Sequence, residues 1–192
     1  SGTVTGISVG GLPDGIVDTD MLAANAVTAA KRGAGAILQV KHVKDTSSQT
    51  WQQSGLAQWA DITALTVNIT PAATSSKILV LAHTCLSEQS TDYGIWFRVM
   101  RDSTALVGTS SNDRTPVGFG NSNSGSYFDD KLVSADFSYV DEPSSTSQLT
   151  YKIQAVSRYS PHSWGYNRSY DNNNGAAFGQ GVSTLTLMEI AG

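Results

Sequence analysis

Few residues in this chain have the type and spacing that chemistry requires. Histidine occurs only as His42, His83 and His162, on separate segments, with none at the i+2 to i+4 spacing that lets two imidazoles share a zinc ion. Neither a metal nor a cofactor is expected. His42 and His83 lie in strand-like runs, where a packed or half-exposed ring is a plainer expectation than a general base. The single cysteine, Cys85, sits in the apolar run Ile78 to Leu86 and reads as a small buried residue, not a nucleophile. No GxSxG elbow, phosphate loop or GxGxxG before a helix occurs, and Gly118-Phe119-Gly120 reads as a loop. Glycan hydrolysis would need two carboxyl groups at a set separation. The candidates are Asp129/Asp130, Asp141/Glu142 and Asp171, and the two pairs are adjacent residues at strand or loop edges, whose side chains point apart into solvent. Asp171 to Asn174 and Asn121 to Asn123 offer oxygen atoms without the glutamate of a calcium loop. No catalytic residue is assigned.

Recognition is the better prospect. The segment Arg158 to Phe178 gathers Tyr159, His162, Trp164, Tyr166, Arg168, Tyr170, Asp171 and Asn172 around proline and glycine. Amphipathic rings beside amide and guanidinium groups suit stacking on sugars or burial in a protein interface. The competing reading places Trp164 and Tyr166 on a core-facing strand and exposes only the loop Asp171 to Gly175. A second long polar loop, Ser110 to Phe128, is rich in Gly, Asn and Ser. The sequons at Asn68 and Asn167 are the chance product of a chain rich in Asn, Ser and Thr, and no glycan is assigned to them.

Positioning these residues falls to strands. Charged residues make up 15% of the 192 positions, well under the roughly 25% of average soluble proteins, and Ser and Thr together number 44. The net charge of −4 and scattered Lys and Arg give no field for nucleic acid. No apolar run approaches the ~20 residues that span a bilayer, and the first residues lack a signal-peptide layout. From Ile37 onward, runs of β-forming residues recur: Ile37–Val43, Ile62–Ile69, Lys77–Leu86, Tyr93–Arg101, Ala105–Ser110, Lys131–Val140, Gln148–Val156, Trp164–Arg168 and Val182–Ile190. These predict two packed antiparallel sheets over residues 36–192, an all-β, jelly-roll-like sandwich. Two runs are apolar on both faces. The run from Val182 belongs at the centre of a sheet or against a subunit. In the other, Ile95, Phe97 and Val99 point one way while Trp96 and Met100 point the other, to be covered by a subunit or by a loop such as Trp51 to Trp59.

Residues 1–35 differ. Ile16/Val17, Met21/Leu22 and Ala26/Val27 recur every five residues, matching neither a helix nor a strand. Short helices are predicted at Asp20–Asn25 and Thr28–Arg32, each too short to persist alone. Identical chains around a symmetry axis would let three such sparse stripes bury one another; the alternative is a flexible linker.

The phrases GLPDGIVDTDMLAANAVTAAK, ILQVK, ITALTVNITPAATSSKILVLA and the terminal VSTLTLMEIAG resemble the distal, receptor-binding part of bacteriophage tail fibre proteins, above all those of marine phages. The resemblance spans the leader, the first strands and the last strand, and leaves the middle, about Cys85 to Phe178, uncovered. It implies a homotrimer with a wound neck at 1–35 and sandwich heads at the tip of a virion fibre. Each head would adhere to a bacterial surface polysaccharide or outer-membrane component. It transfers no site residue. A purely structural fibre or decoration protein is the first rival, a glycan depolymerase the second.

Overall fold

A computed structural model describes residues 27, 31–53, 58–88, 94–107, 115, 117–122, 132–158, 161–171, 175–176 and 178–192. The expected neck at 1–35 therefore lies almost wholly outside the described residues, as do the short helices expected within it. Among the described residues eleven strands follow one another: β1 (Ile37–Asp45), β2 (Gln49–Gln53), β3 (Ala60–Ile69), β4 (Lys77–Glu88), β5 (Gly94–Arg101), β6 (Thr104–Leu106), β7 (Phe119–Ser122), β8 (Val133–Asp141), β9 (Leu149–Ser157), β10 (His162–Tyr166) and β11 (Ser183–Ile190).

They form two antiparallel sheets. In the first, β4 pairs along one edge with β8 and along the other with β11 and then β10, which carry β1 and β2 beyond them. The second runs β3-β9-β5, with β6 and β7 sharing the far edge of β5. Counting β1/β2, β10/β11 and β6/β7 as interrupted single strands leaves four strands facing four. The orders β1-β11-β4-β8 and β3-β9-β5-β6 are those of a jelly roll, in which both sheets draw strands alternately from the two halves of the chain.

Alternation explains the packing. Ile62, Leu65, Ile69, Ile78, Val80 and Leu86 turn inward with Ile95, Phe97, Val99, Ile153, Leu185 and Leu187, and all are buried. Trp96 and Met100 face the other side of β5 with Arg98, whose guanidinium lies 4.2 Å from the centre of the Trp59 ring. Trp59, at the end of the loop expected there, thus reaches that face.

Two strands depart from expectation. Residues 51–53, taken as loop, belong to β2, where Trp51 supplies an apolar side chain among glutamines and stacks on Trp164. Phe119 to Ser122, also taken as loop, form β7. Gly120 is what admits it: a Cβ there would come within 2.7 Å of the Ile95 carbonyl oxygen and 2.8 Å of the Trp96 ring. The strand expected over Ala105–Ser110 is the short β6, ending at Leu106.

The interruptions of β1/β2 and β10/β11 lie beside each other and are stapled by Asn167. Its side-chain amide donates to the carbonyls of Asp45 and Ser47, both at 2.9 Å, and its side-chain oxygen accepts from Ser183 at 2.6 Å. Its backbone N–H donates to Cys85 at 3.0 Å, and its carbonyl accepts from Gly181 at 2.9 Å. With φ at 53°, this is a left-handed position that asparagine tolerates better than bulkier residues.

Candidate functional site

The aromatic segment is divided by the fold. β10 pairs Trp164 with Glu88 on one side and Trp51 on the other, turning His162, Trp164 and Tyr166 toward the opposite sheet. Trp164 is 1% exposed and Tyr166 0%. The Trp164 ring stacks on Trp51 at 5.5 Å and meets Phe97 and Tyr166 edge-on at 6.0 and 6.4 Å. These three side chains are thus corrected from surface contacts to core residues: the strand's alternation sends the rings inward, where apolar area is most effectively removed from water. Burial lowers the His162 pKa and raises that of Tyr166.

Beyond Tyr166 the chain turns outward. Arg168 donates to the carbonyls of Ser169 and Tyr170, each at 3.0 Å, and its other terminal nitrogen meets the Thr50 hydroxyl. It therefore positions the loop and ties it to β2. Tyr170 is half-buried and Asp171 exposed. Tyr159 and Asn172 lie outside the described residues, as do most of Ser110 to Phe128.

The structure also brings a residue of β8 to two of β4. On the outer face of the first sheet, Asp136 Oδ1 lies 2.6 Å from His83 Nδ1, and His83 Nε2 lies 3.3 Å from Cys85 Sγ. The order acid, imidazole, thiol is that of an activated nucleophile. Its electrostatics run the other way: burial raises the Cys85 pKa, and the Asp136 charge raises it further against the opposing contact with Val182. The thiol also lies 3.4 Å from the Val182 carbonyl, which can accept its hydrogen. A reactive cysteine needs the opposite shift, so the trio is read as hydrogen-bonded packing. His83 and Cys85, two apart on one strand, share a face, and that much was legible; Asp136 arrives only through the β4–β8 register.

Asp141 and Glu142 point apart, but only one of them into solvent as expected. Asp141 turns inward, where Arg101 Nη1 reaches its two oxygens at 2.7 and 2.8 Å and the Tyr151 hydroxyl donates to it at 2.6 Å. Glu142 points out and pairs with Lys77 at 2.7 Å. Asp129 and Asp130 lie outside the described residues. Of the sequon asparagines, Asn167 is fully buried with both amide hydrogens engaged.

Among the described residues no cluster of His, Cys, Asp or Glu could hold a metal ion, and no helix is long and apolar enough to cross a membrane. No protein-family model matches the sequence, and no curated protein matches it. Solved structures similar to it come from infectious bursal disease virus. The Gx strain structure is 11% identical with a TM-score of 0.41, over 82% of this chain and 43% of that one. A mutant VP2 protein in T=1 particles is 14% identical with a TM-score of 0.42, over 80% and 36%. A third, of T=1 particles derived from the same virus, is 12% identical with a TM-score of 0.42, over 80% and 40%. The chain spans 36 to 43% of the length of these viral proteins. At these values the likeness carries no statement about the residues of this chain.

Proposed function

We propose that this chain is the head of a trimeric phage tail fibre that attaches the virion to a bacterial surface polysaccharide or outer-membrane component, and that it adheres without cleaving. The observation that carries this reading is the polarity of the sandwich. At one pole the chain enters β1: Gly35 donates to Ala191 and Ala191 to Ala36, both at 2.8 Å, and Ile37 pairs with Ile190. The leader thus joins the head beside the last strand. At the other pole the ends of β2, β4, β5, β7, β9 and β10 converge: Gln53 faces His162, Glu88 faces Trp164, Gly94 faces Ser122 and Ile95 faces Ser157. A head carried by its leader presents that second pole outward, together with the flank bearing Tyr170 and Asp171. The sequence resemblance to tail fibres supports the same arrangement.

The test is competition. The purified full chain, added in excess to host cells, is expected to block adsorption of the phage that carries it. A folded protein that neither binds cells nor competes would leave the structural fibre or decoration role. Shortened chains after incubation with host polysaccharide would overturn the non-catalytic part.

A further inference from the structure

The two outer faces of the sandwich differ in chemistry. On the second sheet, Asp61, Lys152, Gln154 and Arg98 form a continuous polar ladder, with Lys152 and Gln154 donating to Asp61 at 2.7 and 2.6 Å and Arg98 to Gln154 at 2.8 Å. Trp96 and Met100 flank Arg98 on the same face of β5, and the Trp59 ring lies against the Arg98 guanidinium, so the apolar groups there are interrupted by charge. The first sheet instead carries a row that is apolar from edge to edge: Val40 of β1, Met188 of β11, Leu79 of β4 and Val140 of β8 stand at one level, each paired with the next. The two ends of the row are its most open points, Val40 at 51% and Val140 at 47% exposure. Both belong to strands that end the sheet, where unpaired edges invite association.

Two levels away, the row Lys44, Thr184, His83 and Asp136 crosses the same four strands. It has a cation at the β1 edge and a carboxylate at the β8 edge. Rotation about an axis parallel to the strands leaves every residue at its own level. If the β1 edge of one copy is turned against the β8 edge of the next about such an axis, valine meets valine and Lys44 meets Asp136. A contact between two different edges closes into a ring when the rotation closes. The same axis gathers every leader at one pole.

Resting on the trimeric reading above, we propose that the outer face of the β1-β11-β4-β8 sheet is the subunit interface, with the β1 edge of each copy docked on the β8 edge of its neighbour, Val40 on Val140 and Lys44 on Asp136. A two-fold contact through β1 alone, about the same strand-parallel axis, would oppose Lys44 to its own copy, so among contacts about that axis the charge pattern favours the ring.

The experiment is the solution mass of the full chain by sedimentation, with circular dichroism to verify folding. Wild type is expected at trimer mass. Lys44→Asp and Asp136→Lys, made singly, are expected to shift the mass toward monomer at a concentration where wild type is fully assembled, and the double exchange to restore it. Val40→Asp, at an exposed position, is expected to dissociate a head that still folds. A trimer whose mass none of these changes alters would overturn the assigned face and leave the trimer standing. Loss of assembly in the singles without rescue in the double would overturn the Lys44 to Asp136 pairing. A monomeric wild type would remove both the face and the trimer.

Discussion

Two glutamates divide the pH range between them. Glu88, on the inward side of β4 next to Trp164, is buried, and burial pushes its pKa from 4.5 up to about 8; the Ile95 amide nearby opposes this without completing a hydrogen bond to either oxygen. Glu189 is also buried, which alone would raise its pKa, but donors from Ser76 at 2.6 Å and from Gln39 and Ala72 at 2.7 Å outweigh burial and lower it. The signs follow from proton counting. Between 4.5 and about 8 the folded protein holds a proton on Glu88 that the unfolded chain has released, so stability from this group is full below 4.5 and declines as pH rises toward 8. Glu189 acts oppositely, stabilising above the ordinary carboxylate range and losing that contribution as pH falls through its lowered pKa. Urea unfolding from pH 5 to 9 is expected to show wild type weakening by on the order of a few kcal/mol, and Glu88→Gln removing most of that slope. An unchanged slope in the variant would place the titrating group elsewhere. Glu88 was not legible in the sequence, because a polar residue at the end of an alternating strand ordinarily marks its exit into solvent. Trp164 and Tyr166 were legible as a choice between core and surface, and the β10 register decides it.

Nine strand segments could be read from alternation because each places β-branched and aromatic residues at period two. The two missed, β2 and β7, lack that signature: the described inward side chain of each is a single aromatic, Trp51 or Phe119, and both strands sit on the edges of partners already formed. Their identity is conferred by neighbours. At the turn from β5 to β6, Asp102, at φ 50°, accepts from the Thr150 N–H at 2.9 Å. What joins the elements at that pole is Asp141 of β8, held by Arg101 of β5 and Tyr151 of β9. Removing different members should have unequal effects. Tyr151→Phe deletes one donor and leaves the ion pair, with an expected loss of about 1 kcal/mol. Arg101→Ala leaves a largely buried carboxylate without its cation and is expected to lose roughly 3 kcal/mol or more. Chemical denaturation of the two variants checks this, and equal losses would show that the ion pair contributes no more than the phenol.

For the whole molecule, the sequence disclosed the class of fold, since runs of period two recur from Ile37 to Ile190. It could not disclose that Gly35 and Ala36 lie beside the end of the last strand, because strand order depends on distant pairings such as Gln39 with Glu189, 150 residues apart. That adjacency has a mechanical meaning. Hydrogen bonds in an antiparallel ladder run across the strands. A pull that enters through the leader and is resisted at the far pole runs along β1 and loads the whole ladder from Ile37 to Asp45 in shear. A pull between the two chain ends starts instead at the Ile37–Ile190 pair and opens the ladder one rung at a time. Single-molecule extension is therefore expected to need a clearly higher force when the N-terminus is drawn against an attachment at Ser157 than when it is drawn against the C-terminus. Equal forces would show that β1 is not the strand that bears the tension. On the proposed attachment role, the sandwich would be strong along the line of tension from leader to far pole and weak in a direction that attachment would not impose.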